Sequence, residues 1–460
     1  MTLQLETALK NARELQGHFL DELKEFVSIP SISTDPSAEA DIQRAAEWVA
    51  ERLRSMEIDN VQIFPTPRHP VVYGESLKAG SDKPTALFYG HYDVQPPEPL
   101  DLWLSPPFEP TQRGENLYGR GASDMKGQVI VFLSAMQATV KAGELPINVK
   151  FIIEGEEEIG SPNLAQFIES HKNLLASDFA VNLDTGMIAP DIPTITYGLR
   201  GLAYFEIRLN GPDHDLHSGI YGGAVHNPAQ VLCELIAAMH DDAGRVTLPG
   251  FYDSVRDLDE AERAELARLP MDEAFYLKQT GAPQLFGEAG YTPVERVGAR
   301  PTLEVNGLLS GFTGEGSKTV LPAKAMAKIS MRLVPDQHPD RVREQLIQYM
   351  QENAPPTVKW EIEDMAGAPA SITDRNMPAV IALAEAMEGT WGKRPLFRRE
   401  GGSVPVVAQM QDILSIDSVL SGFGLPDDNL HAPNEKIHLP TFYRGIETII
   451  RYLHILGAEM

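Results

Sequence analysis

The sequence predicts a layered α/β domain interrupted by a smaller inserted α+β domain. Short apolar runs alternate with amphipathic helical stretches over the first 198 residues, the pattern of strand–helix–strand units packed as layers. Near residue 199 the texture changes to segments in which apolar and polar residues alternate, as in strands with one exposed face. After "GAPAS" (367–371) the layered pattern returns. The expected division is 1–198 with 372–460 as one domain and 199–371 as the insertion. The length, 460 residues, agrees with more than one core, because domains usually hold roughly 100–200 residues.

In chain order, residues 5–27 and 39–56 read as amphipathic helices. "TALFYG" (85–90), "NVKFIIEG" (148–155) and "FAVNLD" (179–184) read as short buried strands, with "GQVIVFLSAMQATVKAG" (127–143) as a helix between the first two. "GLAYFEIRLNG" (201–211) opens the insertion as a half-exposed strand. "NPAQVLCELIAAMHD" follows as a helix, with Asn227 as N-cap and Pro228 at the first helical position. "AKAMAKISMRLVP" alternates again, "HPDRVREQLIQYMQENA" is helical, and "TVKWEIED" is the last strand of the insertion. These make a small sheet with helices on one face. A closing helix runs over about 440–456.

The composition is globular, 43% hydrophobic and 23% charged, and the net charge is −26. So acidic a chain is a poor partner for nucleic acid or an anionic membrane surface. No run of 18 apolar residues suggests a membrane span. The amphipathic N-terminal segment has no apolar core of a signal peptide, so a cytoplasmic protein is expected. Cys233 is the single cysteine; it forms no intramolecular disulfide and is expected as a buried packing thiol.

The polar residues at the strand ends carry the chemistry. "LFYGHYDVQPPE" puts His91 and Asp93 two apart where an apolar run ends, so both point to one side. "YGRGASDMKG" holds Asp124 in a turn where Gly119, Gly121 and Gly127 permit close backbone approach. "EGEEEIGS" places Glu156, Glu157 and Glu158 straight after an apolar strand, "VNLDTG" ends another in Asp184, and "DDNLHAPNEK" presents His431 in a polar loop. The carboxyl ends of strands are where open α/β sheets build their sites. Two imidazoles and several carboxylates, with no usable thiol, suit two divalent ions such as Zn²⁺, with Mn²⁺ or Co²⁺ as alternatives. One bridging Asp and one spare Glu acting as base on a water would complete a two-metal site.

This order of motifs, His-x-Asp, Asp in a GRGxxDxKG-like turn, Glu-Glu-x-Gly-Ser, Asp and a distal His, resembles the co-catalytic metallopeptidase family of cytosolic non-specific dipeptidase, carnosinase, aminoacylase, succinyl-diaminopimelate desuccinylase and the glutamate-releasing carboxypeptidase. The resemblance runs from "FVSIPSIS" to "HAPNEK". It implies that His91 and Asp184 bind one ion, that Glu158 and His431 bind the other, and that Asp124 bridges both. It implies that Asp93 orients His91, that Glu157 is the general base, and that the Asp124–Met125 peptide is cis. A register shift to Glu156 and Glu157 is the neighbouring alternative.

The resemblance also makes the insertion a lid that dimerises the protein. "DLHSGIYGG" is similar to the dipeptidase-branch motif whose His, here His217, reaches the partner subunit's site and steadies the oxyanion. "GSKTVLP", "ISMRLVP" and "REGGSVP" are similar to segments whose Thr319, Arg332 and Ser403 hold substrate, with Arg332 on the terminal carboxylate. The implied function is metal-dependent cleavage of dipeptides or similarly short peptides by a homodimer. The alternative is an N-acyl-amino-acid deacylase or desuccinylase-type amidohydrolase on the same site. Asp184 leans the reading toward peptidase, because acyl-removing relatives tend to carry Glu there. A metal-storing protein without catalysis would be expected to lack the base, and Glu157 is present.

Overall fold

The computed structural model describes residues 2–402 and 404–459. By internal contacts the chain divides into two compact units, Met1–Tyr197 with Thr373–Phe397 and Pro405–Met460, and Gly198–Ile372 with Arg398–Val404.

The first unit is built on a mixed sheet. Its strands include β1 (Asp59–Phe64), β2 (Val71–Ser76), β3 (Thr85–His91), β4 (Asn148–Glu154), β5 (Phe179–Asn182), β6 (Thr194–Leu199) and Ser418–Leu420. They lie in the order β1-β2-β4-β3-β5, then Ser418–Leu420, then β6. β3 pairs in parallel with both β4 and β5, and Ser418–Leu420 pairs in parallel with β5. These central strands are buried almost throughout, as strands covered on both faces must be. That explains their continuous apolar runs. Helix Lys126–Val140 is buried nearly all round, which matches its uninterrupted apolar sequence.

The expected N-terminal helix is two helices, Leu3–Glu14 and Gln16–Val27, broken at Leu15, whose φ of −96° and ψ of 4° leave the helical well. The closing helix is longer than expected, Leu439–Glu459. Among the described residues, no helix is long and apolar enough to cross a membrane.

The second unit contains a four-stranded antiparallel sheet of β7 (Gly201–Asn210), β8 (Thr302–Ser310), β9 (Lys324–Leu333) and β10 (Lys359–Ala368), in the order β8-β9-β7-β10. β9 alternates strictly between buried and less buried residues. Its inward side chains Ile329 and Met331 join Ile207, Val231, Leu232, Leu346 and Met350 in the unit's core. Helix Pro228–Ala237 starts as its sequence requires, with the Asn227 side chain accepting the Ala229 N–H and Pro228 in the first turn.

Cys233 is exposed, contrary to the packing role expected of it. Val231, Leu232 and Leu235 form the buried face of this helix, and residue 233 follows Leu232 by about 100° of rotation, which turns it outward. The second unit also takes Arg398–Val404, a segment expected to lie with the flanking layers. Arg399 there pairs with Glu262, and the Arg200 N–H donates to Glu400 O.

Candidate metal centre

The parallel strands of the first unit bring their carboxyl ends together. His91 closes β3 opposite Glu154, the last residue of β4. Its ring is 0% exposed. Nδ1 lies 3.1 Å from the Asp93 main-chain oxygen and 3.4 Å from Asp93 Oδ1, and Nε2 lies 3.2 Å from Asp124 Oδ1. Nε2 nonetheless has no hydrogen bond of acceptable geometry among the described residues. Burial opposes a charge on His91, but Asp124, Asp93 and Asp184 outweigh it and hold its pKa well above the ordinary value.

The Asp93 carboxylate has a second task. Oδ1 accepts the Glu157 N–H at 3.3 Å and Oδ2 accepts the Glu158 N–H at 3.1 Å. These amides open the short 3₁₀ turn Glu157–Ile159, whose first N–H groups lack partners within the turn.

The three consecutive glutamates are not equivalent. Glu156 is 2% exposed. Its carboxylate accepts from the Thr66 hydroxyl at 2.9 Å, the His69 N–H at 2.7 Å and the Asn163 amide at 2.9 Å. It is consumed in anchoring its loop. Glu158 Oε2 receives the Gln95 amide at 2.9 Å and lies 3.2 Å from His431 Nε2. Burial pushes the Glu157 carboxyl up to about 7; His91 opposes this, while Asp124, Glu158 and Asp93 add to it.

Asp124 sits between the two histidines, its Oδ2 3.0 Å from His431 Nε2. The turn that carries it is tight. Gly121 has a φ of +85°, a region costly to residues with a Cβ. A Cβ on Gly127 would stand 2.1 Å from the Ala122 carbonyl oxygen. The Asp124–Met125 peptide is cis. Asp184, just beyond β5, has its N–H on Asn182 Oδ1 at 2.7 Å. Burial, and then the charge of Asp124, push its carboxyl well above the usual range.

Seven of the sequence-predicted residues, His91, Asp93, Asp124, Glu157, Glu158, Asp184 and His431, thus gather in the first unit. Two triads emerge, His91/Asp124/Asp184 and Asp124/Glu158/His431, each offering ligand atoms within 4.8 Å of one another. Asp124 belongs to both. Mutually repelling buried carboxylates, and an imidazole nitrogen aimed at them without a hydrogen bond, are what a cation would resolve. The donor set fits two divalent ions sharing Asp124.

The remaining predicted residues belong to the second unit. His217 pairs with Val320 in a two-residue ladder, and the Ser218 N–H donates to Thr319 O at 3.0 Å, so His217 and Thr319 are neighbours. The exposed His217 ring accepts the Gly219 N–H at 3.0 Å through Nδ1. Arg332 is half-buried on β9 and, with Arg200 and Arg300, lines a cavity of about 440 Å³. Ser403 lies outside the described residues.

Three supporting residues escaped the sequence reading: Gln95, which orients Glu158; Asp428, which accepts the Ser123 hydroxyl at 2.9 Å and pairs with Lys436 at 2.9 Å; and Glu435, which grips the Asp124 turn. Each lies inside a motif quoted for another residue, "HYDVQPPE" or "DDNLHAPNEK". That proximity was the available signal.

Comparison with known proteins gives one consistent result. Residues 87–454 match the model of peptidase family M20/M25/M40. The Cys-Gly metallodipeptidase DUG1 of Candida albicans is 31% identical over 479 residues, covering 99% of this chain and 98% of the relative. Human Beta-Ala-His dipeptidase is 32% identical over 450 residues, covering 94% of this chain and 88% of the relative. The solved structure of an M20 family metallo-carboxypeptidase, Sso-CP2 from Sulfolobus solfataricus, superposes with a TM-score of 0.83 at 34% identity, covering 96% of this chain and 99% of that one.

Proposed function

The chain belongs to peptidase family M20/M25/M40, and from that premise we propose that it is a metal-dependent dipeptidase, hydrolysing the peptide bond of dipeptides and similarly short peptides. The observation that carries the reading is Asp124, common to two ligand triads, with Glu157 beside them. In this proposal His91 and Asp184 hold one divalent ion and Glu158 and His431 the other, with Asp124 on both. Zn²⁺ is the preferred occupant, with Mn²⁺ and Co²⁺ as alternatives, because the set mixes imidazole with carboxylate and has no thiolate. Two such ions supply a water of lowered pKa and polarise the scissile carbonyl.

The chain's own residues do the rest. Glu157, whose side chain accepts no hydrogen bond among the described residues, takes the proton from the attacking water and returns it to the leaving amine. Asp93 orients His91 and, through two backbone N–H groups, the turn bearing Glu157 and Glu158. Arg332, Thr319 and Ser403 hold the substrate, Arg332 through its terminal carboxylate, for which a guanidinium's forked donors are suited. The second unit serves as the lid and joins two copies, and His217 donates to the oxyanion in the partner's site. The resemblance of "DLHSGIYGG" and "GSKTVLP" to the dipeptidase branch supports these lid roles.

The test is metal content measured together with activity. About two ions per chain, with cleavage of a dipeptide panel lost on chelation and regained with Zn²⁺ or Mn²⁺, is the expected outcome. Two ions with hydrolysis of N-acetylated amino acids in place of free dipeptides would move the assignment to a deacylase. Failure to take up metal would end it.

A further inference from the structure

Glu435 sits four residues after His431 in the chain, yet its carboxylate is spent on the turn that carries Asp124. Oε1 accepts the Ser123 N–H at 3.0 Å and the Asp124 N–H at 3.1 Å; Oε2 accepts the Gly121 N–H at 2.9 Å and the Arg120 guanidinium at 2.8 Å. The residue is 0% exposed. Its own main-chain oxygen takes the Gly119 N–H, and the next residue, Lys436, pairs with Tyr118. One residue therefore stitches the base of the His431 loop to the Asp124 turn.

The tip of that loop is tied down at Asn434, whose side chain accepts the Leu104 N–H and donates to Leu102 O, each at 2.8 Å. Asn429, His431 and Asn434 all have positive φ, between 55° and 63°, a conformation that non-glycine residues adopt only when their surroundings impose it. His431 is itself largely exposed, 53% for its side chain. Its Nε2 lies 3.0 Å from Asp124 Oδ2, and Glu435, with Asp428 on the Ser123 hydroxyl, ties the base of its loop to the Asp124 turn.

We infer that Glu435 is the positioning residue of the second ion, fixing the distance between Asp124 and His431 so that the Asp124/Glu158/His431 triad is preformed. It belongs to neither ligand triad. All four hydrogen bonds to its carboxylate come from donors, so an amide in its place would set an NH₂ group against N–H groups on one side. The carboxylate, and not merely a polar side chain of that length, is required.

This inference rests on the two-ion reading of the site, and Zn²⁺ titration of the full-length protein, stripped and then refilled, separates the two. Wild type binding fewer than two Zn²⁺ per chain would overturn the two-ion reading itself. With two bound, Glu435→Gln is expected to weaken the second Zn²⁺ at least tenfold and to leave the first much less affected. Glu435→Asp, which keeps the charge facing Arg120 but shortens the reach to the amides, should do the same and serves if the Gln variant does not fold. Arg120→Lys keeps the cation and all three amide bonds to Glu435, and should hold the second Zn²⁺ within about threefold of wild type. Unchanged affinity in both Glu435 variants overturns the inference. So does parallel loss of both ions and of melting temperature in all three variants, which would make the pair an ordinary buried ion pair holding the fold.

Discussion

Asp93 accepts the backbone N–H of Glu158 at 3.1 Å through the same carboxylate that faces His91 Nδ1 at 3.4 Å. An imidazole and the glutamate turn are thus oriented by one buried anion. Asp93→Asn keeps the shape but offers one accepting oxygen where two are used, and it weakens the pull on Nδ1–H. The expected result is a fall in metal affinity of roughly 10–100-fold, the range typical of such supporting partners, with turnover falling alongside. Titration with Zn²⁺ checks it; wild-type affinity in the Asn variant would mean that the contact is incidental.

The three glutamates should separate cleanly by experiment. Glu157→Gln is expected to keep both ions and the melting temperature while kcat falls roughly 10²–10⁴-fold, the usual contribution of a general base. Glu156→Gln is expected to behave in the opposite way. Its carboxylate accepts from Thr66, His69 and Asn163, so the amide leaves buried donors unsatisfied at a cost of about 1–3 kcal/mol. A melting shift in Glu157→Gln together with a catalytic defect in Glu156→Gln would move the base one residue toward the N-terminus.

Glu154 gives a prediction in pH. Burial, and then the charge of Asp93, push its carboxyl up to about 8, while hydrogen bonds from Tyr89 and Ser161 oppose the shift. The folded state therefore holds this proton more tightly than the unfolded chain, whose carboxyl titrates near 4.5. The stability from this group is fully present below about pH 4.5 and is lost as pH rises through about 8. In metal-stripped protein, denaturant unfolding should show wild type losing stability relative to Glu154→Gln across that window. Tyr89 and Ser161 both donate to Oε1, which a glutamine retains, so the two curves should converge at the acid end. Parallel curves would show that Glu154 is ionised throughout.

The site was legible where chemistry follows directly from local pattern. Apolar runs that stop at His91, at the glutamate triplet and near Asp184 are strands ending at one edge of a sheet, and β3, β4 and β5 do lie side by side. The choice among Glu156, Glu157 and Glu158 came from the resemblance and not from local pattern, because three identical acids differ only in what surrounds them: Thr66, His69 and Asn163 single out Glu156. Glu435 was hidden for another reason. Its contact with the Asp124 N–H spans 311 positions, and no periodicity reports that a carboxylate turns back onto a distant backbone. Cys233 was misread because an apolar neighbourhood in sequence was taken for an interior one, whereas helical phase decides which side chains face the core.

The same substitution at two helical glycines should have opposite signs. Gly127→Ala would bring a Cβ to 2.1 Å from the Ala122 carbonyl oxygen and 2.7 Å from Ile437 Cδ1. The first obstacle is backbone of the very turn that carries Asp124, so it yields only by displacing that turn. A loss of about 1–3 kcal/mol is expected from the overpacking, accompanied by weaker Zn²⁺ binding because the bridging carboxylate moves with the turn. Gly17, inside helix Gln16–Val27, has nothing within 4 Å of the position a Cβ would take. Gly17→Ala should stabilise by about 0.4–1 kcal/mol, since alanine has less backbone freedom to lose on folding, with metal affinity unchanged. Thermal unfolding and Zn²⁺ titration of the two variants together check the coupling. A Gly127→Ala protein that loses stability but binds both ions as tightly as wild type would show that the turn absorbs the clash without moving Asp124.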